Sequence, residues 1–287
     1  MRASTSRDAA GTTRMPRTRN DGHHNDQERP PIAVWPCNQE KARSAHGQLC
    51  GRLITDLSNP GDTVALLGFY DGRAPRAAAQ AERRTVGFEV DLARVRRAFA
   101  STSALPEHQR GLVELHAADA RRAPEVVADL VGRAGLVAVW LPDPAPDRPG
   151  RELPDGHLGR LRGAVYAEAA GELIGAAAQL VAPGGAVAVV CSGRRQKSGG
   201  IDRVAVAAHH AHQAGLVYVQ HILALVDRVR DGGLDHAFPA LPASGAAGRG
   251  ESGATVIAPA HDDVVLLAKP RTHEPDEGTE TGAGVGR

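Results

Sequence analysis

The chain has 287 residues, 42% of them apolar and 3% aromatic, with 33 glycines and a formal net charge of +1 at pH 7. That length suits one large core or a core with a small appendage, and a charge near zero sets up no whole-molecule field that would demand a polyanionic partner. Cys37, Cys50 and Cys191 are odd in number and have no close spacing, which argues against both a disulfide framework and a metal knuckle.

Residues 1–30 are polar and aperiodic and are predicted to be a disordered tail. They contain no apolar run that could act as a signal or a span, so a cytoplasmic protein without a membrane association is expected. The helical apolar rhythm of "GQLCGRLITDLSN" (47–59) stops at Asn59-Pro60-Gly61. "TVALLG" reads as a buried strand, and Pro75 suits the start of the helix after it. A second strand follows over 84–90, then a helix over 91–100 with Arg94, Arg96 and Arg97 on its solvated side. Strands are predicted at 112–119 and 135–141, the latter left by a proline-rich loop. A long alanine-rich helix over 160–180 runs into "VAPGGAVAVVCS", a turn and a strand. A helix over 200–214, a strand over 216–226 and a closing edge strand over 263–270 complete the pattern, with 229–253 hard to assign and 271–287 a second disordered tail.

Short, nearly continuous apolar strands alternating with helices predict one α/β domain over 31–270: a mostly parallel sheet covered on both faces, with an antiparallel pair at one edge. Ligands in such sheets bind beyond the carboxyl ends of the strands, here the loops after Leu67, Glu89, Asp119 and Leu141. Gly68 and Gly72 would let a ligand approach the backbone, Glu89 would accept from ribose hydroxyls, and Asp119 would receive a base amine. The plainer alternatives are a bare strand–helix turn for the glycines and a solvated strand end for Glu89. "LGFYDG" does not supply the dinucleotide fingerprint.

The run "SNPGDTVALLGFYDGRAPRAAAQAERRTVGFEVD" resembles the first cofactor motif of the class I S-adenosylmethionine-dependent DNA methyltransferases acting on N4 of cytosine or N6 of adenine. Pro60, Gly61, Asp62, Val64, Gly72, Arg83, Gly87 and Glu89 fall on motif positions without a gap, and "AVWPCNQEKARS", "LVAPGGAVAVV" and "HDDVVLLAKP" are similar to further stretches of that family. The resemblance implies a Rossmann-like class I methyltransferase fold, S-adenosyl-L-methionine as cofactor and DNA as a partner; it leaves the oligomeric state open. It places Gly68, Phe69 and Gly72 at the methionine end of the cofactor, Glu89 at its ribose and Asp119 at its adenine. After the fourth predicted strand it implies Asp143 beside the target amine, Pro144 fixing the loop and Trp140 stacking on a base held outside the duplex.

The chain also departs from that pattern. Leu66 stands for the motif's aspartate, Tyr70 for its first glycine, and Arg73 and Ala74 for its paired threonines. Lys41-Ala42 replace a His-Pro pair, and Ala145 and Pro146 follow Asp143-Pro144 where proline and an aromatic are usual. Two rivals follow: an inactive homologue with a binding or regulatory role, and a methyltransferase for RNA or a small molecule. A third is plain nucleic-acid binding by Arg73, Arg76, Arg83, Arg84, Arg94, Arg96 and Arg97. No metal site is expected, since His209 and His210 are adjacent on one helix and point apart. Cys191 reads as a small buried residue.

Overall fold

The computed structural model describes residues 32–37, 44–143, 153–191, 201–226, 228–230, 233–235 and 261–271. Both predicted tails, apart from Arg271, lie outside these residues, as do Pro144, Ala145, Pro146 and the Lys41-Ala42 pair.

The chain opens with β1 (Ile32–Pro36) and α1 (Ala45–Leu57). Then come β2 (Thr63–Leu67), α2 (Arg73–Gln80), β3 (Arg84–Phe88), α3 (Leu92–Ser103), the single turn α4 (Glu107–Arg110) and β4 (Val113–His116). Short helical turns, including α5 (Ala123–Val126), lead to β5 (Ala134–Leu141). The second half holds α6 (Gly163–Leu180), β6 (Val181–Cys191), α7 (Arg203–Gln213) and β7 (Val217–Leu225). A small hairpin of β8 (Arg228–Arg230) and β9 (Gly233–Asp235) precedes β10 (His261–Ala268).

Eight strands form one sheet in the order β1-β7-β10-β6-β5-β2-β3-β4. All pairings are parallel except those of β10, which runs antiparallel to both β6 and β7. From β4 to β7 this is the strand order of the class I methyltransferase fold, with its reversed last strand. The expected α/β class is therefore the observed one, with the antiparallel pair near one side of the sheet. The closing strand itself is not at the edge: β10 is inserted between β6 and β7. The edge belongs to β1, a strand that the sequence left unassigned because it is five residues long and ends in proline, a residue that tolerates edges.

Each face of the sheet carries its own core. On one side α6 and α7 pack Tyr166, Leu173, Ile174 and Ala207 against Val137, Val139, Val187 and Val189. On the other, α1, α2 and α3 pack Leu49, Leu53, Ala74, Val95 and Ala98 against Val64, Leu66, Ala138 and Val190. β2 is buried on both faces, with Val64 to Leu67 all at 0% exposure, as a central parallel strand requires. Ser44, Asp91 and Asp202 cap α1, α3 and α7 by accepting from backbone N–H groups of the first turn. Arg83, a motif position, is buried and donates from Nε to Ser58 Oγ (3.1 Å) and from Nη2 to Ser58 O (2.7 Å), tying the entry of β3 to the end of α1.

Gly72 is required by packing. A Cβ there would lie 2.5 Å from Ser101 Cβ and 3.0 Å from Ala98 Cα, so α2 and α3 meet through its missing side chain. Gly72→Ala is expected to cost about 1–3 kcal/mol in a denaturant titration, as overpacked sites do. Ser101→Gly in the same chain should recover part of that loss; no recovery would mean the strain lies elsewhere.

Candidate functional site

The ends of β2, β3, β4 and β5 stand side by side, so the topology brings Gly68, Glu89, Asp119 and Asp143 to one end of the sheet. Gly68 has φ +71, a left-handed conformation that favours glycine, and a Cβ on it would sit 3.1 Å from the Trp140 carbonyl oxygen. Its N–H donates to Phe88 O at 2.9 Å. The turn thus passes closely over β5, and that alone accounts for its first glycine. Phe69 is fully buried with its ring against Gly87, where an added Cβ would meet Phe69 Cε1 at 2.9 Å. Tyr70, by contrast, is 53% exposed and its ring lies against the Arg94 guanidinium.

Glu89 directly follows β3 and is 2% exposed. Its Oε1 accepts from the Asp91 N–H at 2.9 Å and its Oε2 from Arg94 Nη1 at 3.1 Å. Burial pushes its carboxyl above the usual range, against the opposing pull of the Asp91 N–H and Arg94. Arg94 is itself 5% exposed, so this is an interior ion pair. The same Nη1 lies 3.1 Å from His157 Nε2; a guanidinium only donates, so Nε2 accepts in this contact. The guanidinium carbon is 4.5 Å from the Tyr70 ring centroid, a cation–π contact. Glu89, Arg94, His157 and Tyr70 therefore form one stacked polar column over the end of β3.

The sequence offers Arg94 as a phosphate-facing residue and does not single out His157. The pattern predicts Arg94 on the solvated side of its helix, but it faces inward with Val95, Ala98 and Thr102. The signal available was its position: 94, 95, 98 and 102 share one helical face, and 94 follows two acids at 89 and 91.

Asp119 caps the turn after β4, accepting from the Arg121 N–H at 3.0 Å. The Arg121 side chain grips the same carboxylate, Nε at 3.1 Å from both oxygens and Nη2 at 2.6 Å from Oδ2, and reaches Glu172 on α6 through Nη1 at 2.9 Å. Gly156 comes up against this carboxylate from the segment before α6. A Cβ on Gly156 would be 3.3 Å from Asp119 Oδ2 and 3.6 Å from Val90 Cγ2.

At the end of β5, Asp143 is in an ion pair with Arg203 of α7. Tyr166, fully buried on α6, donates its hydroxyl to Pro142 O at 2.8 Å and so fixes the start of the following loop. Trp140 is 7% exposed and its side chain belongs to the core that also holds Phe69, Val190 and Ile222. Its ring is part of the packing beneath the site, and among the described residues its Nε1 has no hydrogen-bond partner.

The arginines expected to face phosphate are mostly engaged with the protein. Arg83 and Arg94 are buried, Arg73 pairs with Asp71, Arg84 Nη2 lies 3.7 Å from Glu114, and Arg76 Nη1 donates to Ser101 O. All three cysteines are buried, and burial raises their thiols, Cys191 to about 12 and Cys37 to about 11, so they stay protonated and unreactive at neutral pH. Among the described residues no group of three or more His, Cys, Asp or Glu could hold a metal ion. No helix among them is long and apolar enough to cross a membrane.

No family model matches the chain, and no curated protein matches it by sequence. Several solved structures resemble it in three dimensions. A TehB-like SAM-dependent methyltransferase from Corynebacterium glutamicum aligns over 77% of this chain and 86% of its own, at 10% identity and a TM-score of 0.44. Magnesium protoporphyrin IX methyltransferase from Synechocystis, with SAM bound, aligns over 78% and 79% at 13% identity and a TM-score of 0.47. The N-methyltransferase NodS of Bradyrhizobium japonicum aligns over 79% and 95% at 11% identity and a TM-score of 0.45. Likeness at this level names no substrate, and the fold assignment rests on the strand order.

Proposed function

We propose that this chain is a methyltransferase-fold protein that acts by binding, in a regulatory or scaffolding role, without turnover. The observation that carries this reading is the state of Glu89. The motif resemblance would have it receive the ribose of S-adenosyl-L-methionine, yet it is 2% exposed and bonded to Arg94, which is covered in turn by His157 and Tyr70. A carboxylate has about four acceptor positions, so it is burial rather than valence that closes Glu89 to a ligand. Asp119, the residue implied for the adenine, is chelated by Arg121 and flanked by Gly156. In this conformation the residues present do not fit an adenosyl group.

Transfer to an exocyclic amine of DNA is supported only by the motif resemblance. The Asp143 implied beside the target amine is paired with Arg203, and the ring suited to stack a base, Trp140, is in the core. Base stacking contributes about 1–3 kcal/mol per base, so its loss weakens that reading further.

Titration of the full chain with S-adenosyl-L-methionine in a calorimeter should give no saturable heat, corresponding to a Kd above about 1 mM. Saturable micromolar binding that Glu89→Ala weakens would sink the proposal. Methyl transfer to unmodified duplex DNA, abolished by Asp143→Ala, would restore the DNA-amine reading in its place.

A further inference from the structure

β4 ends the sheet, and its outer side has a definite pattern. Leu112 O accepts from the Thr85 N–H at 2.7 Å and His116 O from the Glu89 N–H at 3.1 Å, so residues 112, 114 and 116 turn their backbone groups to β3. Val113, Leu115 and Ala117 turn theirs outward, where they meet no further strand among the described residues. Side chains alternate between the two faces. Leu115 lies on the face covered by α3, packed against the core of Phe69 and Val95. Glu114 and His116 lie on the other, where His116 Nε2 is 2.9 Å from Glu114 Oε1 and the imidazole stacks on Phe88 at 4.7 Å. α3 is the last helix over this margin, because α2 meets it on the opposite side, at Ala98 and Ser101. The flank turned away from α2 carries Leu92 and Phe99, in line with Val95 at i, i+3 and i+7, and these two are 49% and 51% exposed. An apolar helix flank thus overhangs a strand edge with outward donors and acceptors.

We propose that this margin is a dimer interface: β4 pairs antiparallel with β4 of a second copy of the chain about a two-fold axis through Leu115, joining two sheets into one. The occupant is a second copy because the strand is complementary to itself. Among antiparallel alignments that oppose outward-facing residues, the one centred on Leu115 sets Glu114 against the partner's His116 on one face and Leu115 against the partner's Leu115 on the other. Centring on Glu114 or on His116 opposes two glutamates or two histidines instead. In the favoured register the N–H and C=O groups of Leu115 exchange hydrogen bonds with those of the partner's Leu115, and those of Val113 with those of the partner's Ala117. The Glu114–His116 pairs then occupy the close positions, where opposed Cα atoms are about 4.5 Å apart. The two-fold keeps both α3 helices on one face of the joined sheet, side by side and antiparallel, with the Leu92–Phe99 flanks turned to each other. Glu114 is the kind of charge that ordinarily blunts an edge strand, and here its counterpart lies in the same interface. The other edge, β1, is apolar, ends in Pro36 and has no such match to itself. The dimer is independent of whether the chain binds a cofactor.

Sedimentation of the full-length chain across the micromolar range should show a monomer–dimer equilibrium. Phe99→Ser and Ala117→Pro, both at exposed positions, should each raise the dissociation constant at least about tenfold while circular dichroism stays native. Proline at 117 removes an outward N–H and no bond to β3. A short bifunctional thiol reagent reads the register. Leu115→Cys should yield covalent dimers, because the axis brings the two thiols together. Ala117→Cys should not, because at 3.3–3.4 Å per residue the two 117 positions are about 14 Å apart. The wild type, whose three cysteines are buried, sets the background. A chain that stays monomeric throughout overturns the proposal. A dimer of unchanged affinity in both surface variants, or one that crosslinks at 117 and not at 115, has its interface elsewhere and overturns the β4 pairing. Should Leu115→Cys fail to fold, the two surface variants decide the question alone.

Discussion

Arg94→Met is expected to be among the most destabilising single changes available in this protein, costing about 3–5 kcal/mol at neutral pH. The reason is asymmetry. Removing the guanidinium leaves the Glu89 carboxylate 2% exposed with the Asp91 N–H as its remaining described donor. Glu89→Gln in the same chain removes the uncompensated charge, and the double variant should regain most of the loss, since apolar or neutral replacement of a buried pair is often close to neutral. The pH dependence has a definite sign. Burial already holds the Glu89 carboxyl above its ordinary range. A carboxyl whose folded value is raised contributes stability that is complete below its unfolded value and is lost as pH rises through the folded value. Without Arg94 the folded value rises further, so the deficit of Arg94→Met should be small in acid and grow toward neutral pH. Urea titrations on either side of the ordinary glutamate range, about pH 4.3, would show this. A deficit independent of pH would place the role of Arg94 in packing instead.

Phe69→Ala should cost about 3–5 kcal/mol, as for other fully buried aromatic side chains, and should leave any nucleoside affinity where it was. The ring and Gly87 share one space: a Cβ on Gly87 would lie 2.9 Å from Phe69 Cε1 and 2.8 Å from Leu115 Cδ2. Gly87→Ala alone is therefore expected to cost about 1–3 kcal/mol. Combined with Phe69→Ala it should cost less, with a coupling of at least about 0.5 kcal/mol. Thermal unfolding of the four members of the cycle measures this. A Phe69→Ala variant of unchanged stability but altered ligand affinity would return Phe69 to the role that the motif resemblance gave it, at the methionine end of a cofactor.

The layered fold was legible because its strands are written as unbroken apolar runs. "TVALL", "LVAVWL" and "VAVVC" leave little alternative to a central parallel sheet. The edge was not legible: β1 is short, and its partner β7 is supplied by the far end of the chain, a relation that no local pattern encodes. The grouping of Gly68, Glu89, Asp119 and Asp143 followed from strand ends, which topology dictates. What each one touches did not follow. Arg94 and Arg121 neutralise acids two to five residues away, and an arginine on a helix reads identically whether it faces water or a carboxylate. His157 was invisible because its partner lies in a different element, and the segment that carries it has neither strand nor helix periodicity. Gly72 and Gly87 show a related ambiguity. Both match cofactor-motif positions, and both are explained by close approach within the core.

The placement of β1 also bears on how the molecule is made. Its five residues pair in register with His221–Leu225, and β10, later still, wedges between β6 and β7. During synthesis the half-sheet of β2 to β5 can collapse on its helices early, whereas the far side has to wait until nearly all of the described chain has left the ribosome. Until then β6 presents an unpaired strand edge, and the first strand to emerge has no neighbour. Such long-range closure predicts slow final assembly and a vulnerable interval in which nascent chains can pair with one another. The nascent protein's hazard thus lies at the margin farthest from β4, where the first and last of the described strands flank β7.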